Sequence, residues 1–326
     1  MVAISVIIPN YNHEKYLKQR IETVIGQDFD DFEVIILDDN STDNSVDIIK
    51  QYSGSDKLSG IYINDKNSGS VFKQWNRGVD LAKGEYIWIA ESDDFSDFSF
   101  LKKVYKKIKE HNVGLAFVQS NKVNDENFVY GDWISHTQEL DKNYFLDDFK
   151  LEGREFIKRF MINQNSIPNA SAVVFKKEFY VKAGYASESL KTIGDWGMWV
   201  KILNFTDIYF ISDKLNYFRM HNNSCVALSN KNDQRSNIIL MHAFLYYDLS
   251  LFFGEYDIFI SEIYFDKYNF SLSRFFWHCF FKCKFKDIYF KIYKNKLYKI
   301  FITKDFYMVF CFLFINFILN KKSLKI

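Results

Sequence analysis

The chain has 326 residues, 48% of them hydrophobic and 25% charged, a composition that argues against disorder and suits one large domain or a domain with an appendage. Its net charge of +1 conceals an asymmetry. Residues 267–326 hold 13 Lys and Arg against only Asp287 and Asp305, a surplus of +11 that leaves −10 on the rest. A basic tail on an acidic body asks for a partner with an anionic surface.

Residues 4 to 120 predict alternating strands and helices. ISVIIP (4–9) is an unbroken apolar run, the mark of a strand covered on both faces. Leu17, Ile21, Val24 and Ile25 follow at helical spacing, with Asn12 as the expected cap. FEVIIL (32–37) predicts a second strand, and NSTDNS opens a helix running through Tyr52. IYIN (61–64), a helix near 70–83, YIWIA (86–90), a helix near 98–110 and GLAFVQ (114–119) continue the series. This order predicts an α/β fold with a mostly parallel sheet. From about 120 to 225 the pattern is less regular, although GDWGMWVKIL (194–203) starts an amphipathic helix.

Open parallel sheets bind ligands outside the carboxyl ends of their strands. The polar residues collect there: Pro9-Asn10-Tyr11-Asn12 after the first strand, Asp38-Asp39-Asn40 after the second, Glu91-Ser92-Asp93-Asp94 after the fourth. Asn40, Ser41 and Asp43 are read as helix caps, because caps favour these side chains. One cap needs only one such group, so Asp93 and Asp94 are read as functional. Carboxylates clustered without Cys or His suit hard cations, Mn²⁺ or Mg²⁺, which complete their shell with phosphates and water. No phosphate-binding G-x-x-x-x-G-K-[ST] or dinucleotide-binding G-x-G-x-x-G occurs.

These blocks carry a resemblance. SVIIPNYN, then Gln27 before DFDDFEVIILDDNSTDNS, then NSGSVFKQWNRGVDLAKGEYIWIAESDD resemble a family 2 glycosyltransferase of the GT-A fold, without interruption from residue 4 to about 110. GDWGMW and YFRMHNNS extend the likeness to about 225. The resemblance implies a nucleotide-binding catalytic domain over 1–225, with a donor half to about 110 and an acceptor half from 111. Residues 226–326 are then a helical, aromatic and basic C-terminal region.

The resemblance also implies roles. Pro9 and Tyr11 fall in the nucleotide-binding loop, Tyr11 as the aromatic that stacks on the base. Asp39, with Asp38 beside it, matches the acid that binds uracil. Asp93 and Asp94 match the motif that holds the ribose and the metal bridging the diphosphate. Asp195 matches the general base of an inverting transfer, and as a helix-start residue it also suits a cap. His221 stands where some relatives place a His near the metal, and Arg219 is suited to a charge-assisted bond to phosphate. The sequence departs from the pattern at Glu91, where many relatives have Asp, at Gly194, where many have Glu, and at Trp75, a place often held by Arg or Leu. The other histidines, His13 among them, form no constellation in sequence. The processive Q-x-x-R-W signature is absent, which favours one sugar per encounter.

The implied enzyme moves a sugar from a nucleotide donor, UDP first, to a glycan or lipid-linked acceptor of a surface polysaccharide or lipopolysaccharide. A sugar nucleotidyltransferase and a non-catalytic nucleotide-sugar-binding subunit are the alternatives. The 19 aromatics within 267–326 fit packing on the catalytic domain or an anionic membrane surface better than a nucleic acid. FYMVFCFLFINFIL (306–319) is shorter than the roughly 20 apolar residues a spanning helix needs. A strand pattern by Ile4 leaves no signal peptide, and Cys225, Cys279, Cys283 and Cys311 read as free thiols. Both predict a cytoplasmic protein, peripheral on the inner membrane face if the tail binds lipid.

Overall fold

A computed structural model describes residues 2–190, 192–221 and 235–281. The chain divides after Ser271 into two units, and the architecture below is that of the first. Strands β1 (Ile4–Asn10) and β2 (Phe32–Asp38) are buried at every position, as their unbroken apolar runs require. β3 (Leu58–Ile63) is only partly buried. β1 pairs in parallel with β2 and with β4 (Tyr86–Ile89), and β2 pairs in parallel with β3. Helices α1 (Glu14–Ile25), α2 (Ser45–Lys50), α3 (Val71–Leu81) and α4 (Phe100–His111) fill the intervals where helical spacing predicted them.

Beyond α4 and a two-residue strand β5 (Phe95–Ser96) come β6 (Leu115–Val123), β7 (Val129–Asp132), α5 (Ile134–Gln138), β8 (Phe149–Leu151) and α6 (Gly153–Phe156). β9 (Val173–Lys176), α7 (Lys177–Lys182), α8 (Gly194–Leu203) and β10 (Ile208–Arg219) follow. One sheet holds every strand among the described residues, in the order β3-β2-β1-β4-β9-β6-β10-β5, with β7 added at β6 and β8 at β10. β9 runs antiparallel to both its neighbours, while β6 and β10 are parallel to each other. The α/β fold with flanking helices is as the alternation predicted, but the parallel pairing holds only among β1 to β4 and between β6 and β10. With β5, β7, β8 and β9 antiparallel to their neighbours the sheet as a whole is mixed.

The core beneath the site joins Ile4, Val6 and Ile8 to Leu17, Ile21 and Val24 of α1 and to Phe100, Val104 and Ile108 of α4. Each such side chain contributes about 1.5–3 kcal/mol relative to exposure, which makes the sheet a firm floor for its loops. Trp88 stacks on Phe100 at 4.4 Å and donates its indole N–H to the Ser171 carbonyl.

Two local expectations change. Asn12 does not cap α1; it is left-handed at φ 56°, and its Oδ1 accepts from the Thr42 amide, tying the loop after β1 to the loop after β2. Asn40 is likewise left-handed at φ 63°, a conformation Asn tolerates better than most residues.

Helix α8 is packed tightly on two sides. A Cβ at Gly194 would lie 2.5 Å from the Phe72 ring, and one at Gly197 would lie 2.7 Å from Leu245. Leu245 belongs to a long helix, Arg235–Gly254, which also meets α8 through Lys201–Asp248 at 2.6 Å. A second helix covers Ile258–Phe281. Among the described residues no helix is long and apolar enough to cross a membrane. The apolar segment 306–319, Cys225, Cys283 and Cys311 lie outside the described residues.

Candidate functional site

The carboxyl ends of β1, β2 and β4 lie side by side, and buried carboxylates lock their loops together. Asp38, fully buried, accepts from Asn10 Nδ2 and Ser41 Oγ at 2.7 Å each, and from the Ser41 amide. Asp39 accepts from Asn64 Nδ2, Gln74 Nε2, and the amide and hydroxyl of Ser68. The two acids therefore fix the loops after β2 and β3. Pro9 is buried in β1, two residues past the last residue that pairs with β4. Tyr11, 44% exposed, presents its ring at the end of that strand.

The three acids after β4 have three different surroundings. Glu91 Oε1 accepts the indole N–H of Trp75 at 2.8 Å. Two departures from the family pattern are therefore one feature, a longer carboxylate reaching a larger ring. Burial, then the charges of Asp93 and Asp94, push the Glu91 carboxyl up to about 8. Asp94 is buried: its Oδ2 accepts from Asn169 Nδ2 and Ser171 Oγ, and its Oδ1 accepts the Arg219 amide. The fully buried Arg20 stands 4.0 Å from the same Oδ2 and donates Nε to the Glu91 carbonyl. Burial and the charge of Asp93 raise the Asp94 pKa.

Asp93, like Glu91, is only partly buried, with its side chain 19% exposed. Its Oδ2 lies 3.0 Å from His221 Nε2. Burial works against its ionisation, but the His221 hydrogen bond and the charges of His13 and His221 outweigh it and hold its pKa below the usual carboxylate range. His13 completes this corner. Its Nδ1 is 2.8 Å from Ser92 Oγ, its ring meets His221 edge-on at 5.8 Å, and ligand atoms of His13, Asp93 and His221 all fall within 4.8 Å of one another. Nothing in the sequence flagged His13, because only the fold brings it beside residues so distant in the chain.

Arg219 is 2% exposed, and its guanidinium is engaged within the protein. It donates to the carbonyls of Asp93 and Asn124 and to the side chains of Gln19 and Asn127, and it lies over the Tyr16 ring at 4.7 Å. It bolts the acidic loop to α1 and to the hairpin between β6 and β7.

Asp195 begins α8. Its Oδ2 accepts from Asn165 Nδ2 at 3.1 Å, and burial raises its carboxyl to about 6 against the backbone hydrogen bonds and Asn165. Asn165 in turn lies only four residues before Asn169, which holds Asp94. One short segment, 165–171, therefore grips both the acidic loop and Asp195. The missing side chain at Gly194 is also explained: the Phe72 ring, packed on Trp75 at 5.0 Å, fills that space.

Comparison with known proteins agrees with this geometry. Residues 5–167 match the family described as Glycosyl transferase family 2. Glycosyltransferase GlyG of Streptococcus pneumoniae is 31% identical over 47% of this chain and 45% of its own. Staphylococcus aureus TarS, a poly(ribitol-phosphate) beta-N-acetylglucosaminyltransferase, is 33% identical over 38% of this chain and 22% of its own. The chain thus spans less than half the length of these relatives. MJ1057 of Methanocaldococcus jannaschii, an uncharacterized glycosyltransferase, is 28% identical over 81% of this chain and 84% of its own. A crystal structure of S. aureus TarS in complex with UDP-GlcNAc has the same fold, with a TM-score of 0.64 and 21% identity over 84% of this chain and 73% of that one.

Proposed function

Because the chain belongs to glycosyl transferase family 2, we propose that it is an inverting glycosyltransferase. It takes a sugar from a nucleotide donor, in the first instance a UDP-sugar, and passes it to a hydroxyl of a glycan or lipid-linked surface polymer. The observation that carries this reading is the 165–171 segment, which braces an acidic nucleotide-side loop and a lone, raised carboxylate together. The solved TarS complexes with UDP and UDP-GlcNAc support the donor, and the poly(ribitol-phosphate) transferases support a polymeric acceptor.

The geometry supports the following roles. Tyr11 offers the base a ring, while Pro9, Asp38 and Asp39 shape the backbone beside it. Asp93 and His221 hold a divalent cation, Mn²⁺ or Mg²⁺, their 3.0 Å separation suiting two ligands of one ion. When bound, such an ion offsets charge on the departing nucleoside diphosphate. Asp94 and Arg219 support that loop from within the protein. In the reaction the acceptor oxygen attacks the anomeric carbon, the bond from that carbon to the phosphate oxygen breaks, and Asp195 takes the acceptor proton. Asn165 holds the Asp195 carboxylate in place for this task. The tail over 267–326 would hold the enzyme at an anionic membrane, where lipid-linked acceptors reside.

Calorimetric titration of UDP into the full chain tests the donor cleft. Binding should strengthen at least tenfold when Mn²⁺ is added, and Asp93→Asn should abolish that gain. UDP affinity unaffected by Mn²⁺ or Mg²⁺ would remove the cation from the reading.

A further inference from the structure

We propose that His13 is a third ligand of the cation site, so that two imidazoles and one carboxylate bind the ion and favour a first-row transition metal over Mg²⁺. The inference rests on the reading that a divalent cation sits at Asp93 and His221. The sequence suggested Asp93 and Asp94 for Mn²⁺ or Mg²⁺, and the resemblance placed His221 near the ion, with no role for His13. The structure instead engages both oxygens of the Asp94 carboxylate, the most buried of the three acids after β4, with Asn169, Ser171 and the Arg219 amide. The groups gathered around Asp93 are two histidines.

Three features fit His13 to ligation. Its Nδ1 lies 2.8 Å from the buried Ser92 hydroxyl, and the tautomer that donates Nδ1–H to that oxygen would present the Nε2 lone pair to a cation. Ligating histidines typically have their second nitrogen held in this way, which fixes tautomer and ring orientation. His13 also stands immediately before α1, and its carbonyl accepts the amides of Tyr16 and Leu17, so the backbone that carries the ring is fixed. Third, donor atoms about 2.1 Å from one ion at right angles lie about 3 Å apart. Asp93 and His221 already have that spacing, and the 4.8 Å limit on the trio leaves His13 a side-chain adjustment of under about 2 Å.

His13, Asp93 and His221 would hold the ion from the protein side, and diphosphate oxygens and water would supply the rest of its ligands. Imidazole suits transition ions, whereas Mg²⁺ prefers oxygen and keeps its waters. The affinity of the nucleotide-free protein should therefore rise from Mg²⁺ to Mn²⁺ to Co²⁺.

The test is direct ion binding by the full chain, read by Mn²⁺ electron paramagnetic resonance and by the visible spectrum of Co²⁺, without nucleotide and then with UDP. His13→Ala and His13→Gln should each weaken Co²⁺ and Mn²⁺ binding without nucleotide at least tenfold, change the Co²⁺ band, and leave Mg²⁺ affinity within twofold. Thermal melting of both variants confirms that they fold; Gln serves as the variant that retains a polar side chain. Unchanged Co²⁺ affinity and spectrum in either folded variant would overturn His13 as a ligand, while Mn²⁺-dependent UDP binding would still uphold the cation at Asp93 and His221. Wild-type protein that binds no ion with or without UDP would overturn both.

Discussion

Replacing Asp195 by Asn is expected to lower turnover by roughly 10²- to 10⁴-fold while leaving UDP affinity within about twofold. The variant keeps the size of the side chain and an oxygen for the Asn165 amide, so α8 and its packing on Phe72 persist. What it loses is the oxygen that accepts the acceptor proton. The same carboxyl sets the pH dependence. Burial raises it to about 6, so the base form prevails above that pH, and kcat/KM should fall about tenfold per unit below it. Its effect on stability has the opposite sign. A carboxyl raised in the native state contributes stability that is present below its unfolded value and lost as pH rises through about 6. An acid loss of activity near pH 6 with no fall in melting temperature would therefore report the base and not unfolding. A variant with wild-type turnover would show that another group takes the proton.

Arg219→Ala should act mainly on stability, at a cost of about 3–5 kcal/mol, because it strips the partner from a buried charge network. The guanidinium binds the Asp93 carbonyl, the Asn124 carbonyl, Gln19 and Asn127, and its removal leaves these groups without their donor and takes one of the two buried guanidinium charges, with Arg20, from beside Asp93 and Asp94. Urea denaturation measures this directly. A phosphate-binding role would instead leave the unfolding midpoint in place and weaken UDP affinity.

The strands were legible in the sequence because burial on both faces writes unbroken apolar runs, as in ISVIIP and FEVIIL. The site loops were legible because a parallel sheet gathers its carboxyl ends, and the family resemblance named the acids on them. The division of labour among those acids was not. Asp94 is defined by Asn169, Ser171 and Arg219, all far along the chain, and the proximity of His13 to His221 exists only after folding. The departures from the family pattern could be seen singly, at Glu91, Trp75 and Gly194. That Trp75 answers Glu91, and that Phe72 fills the space beside Gly194, needed the packing of α3 against α8.

Release of nucleoside diphosphate from a panel of donors tests the central claim most directly. The panel is UDP-glucose, UDP-galactose and their N-acetyl forms, incubated with the full chain, Mn²⁺ and a polyol-phosphate or lipid-linked glycan acceptor. The account predicts acceptor-dependent UDP release from at least one donor, lost in Asp195→Asn. Pyrophosphate release from a sugar phosphate and a nucleoside triphosphate, or UDP binding without release from any donor, would contradict it.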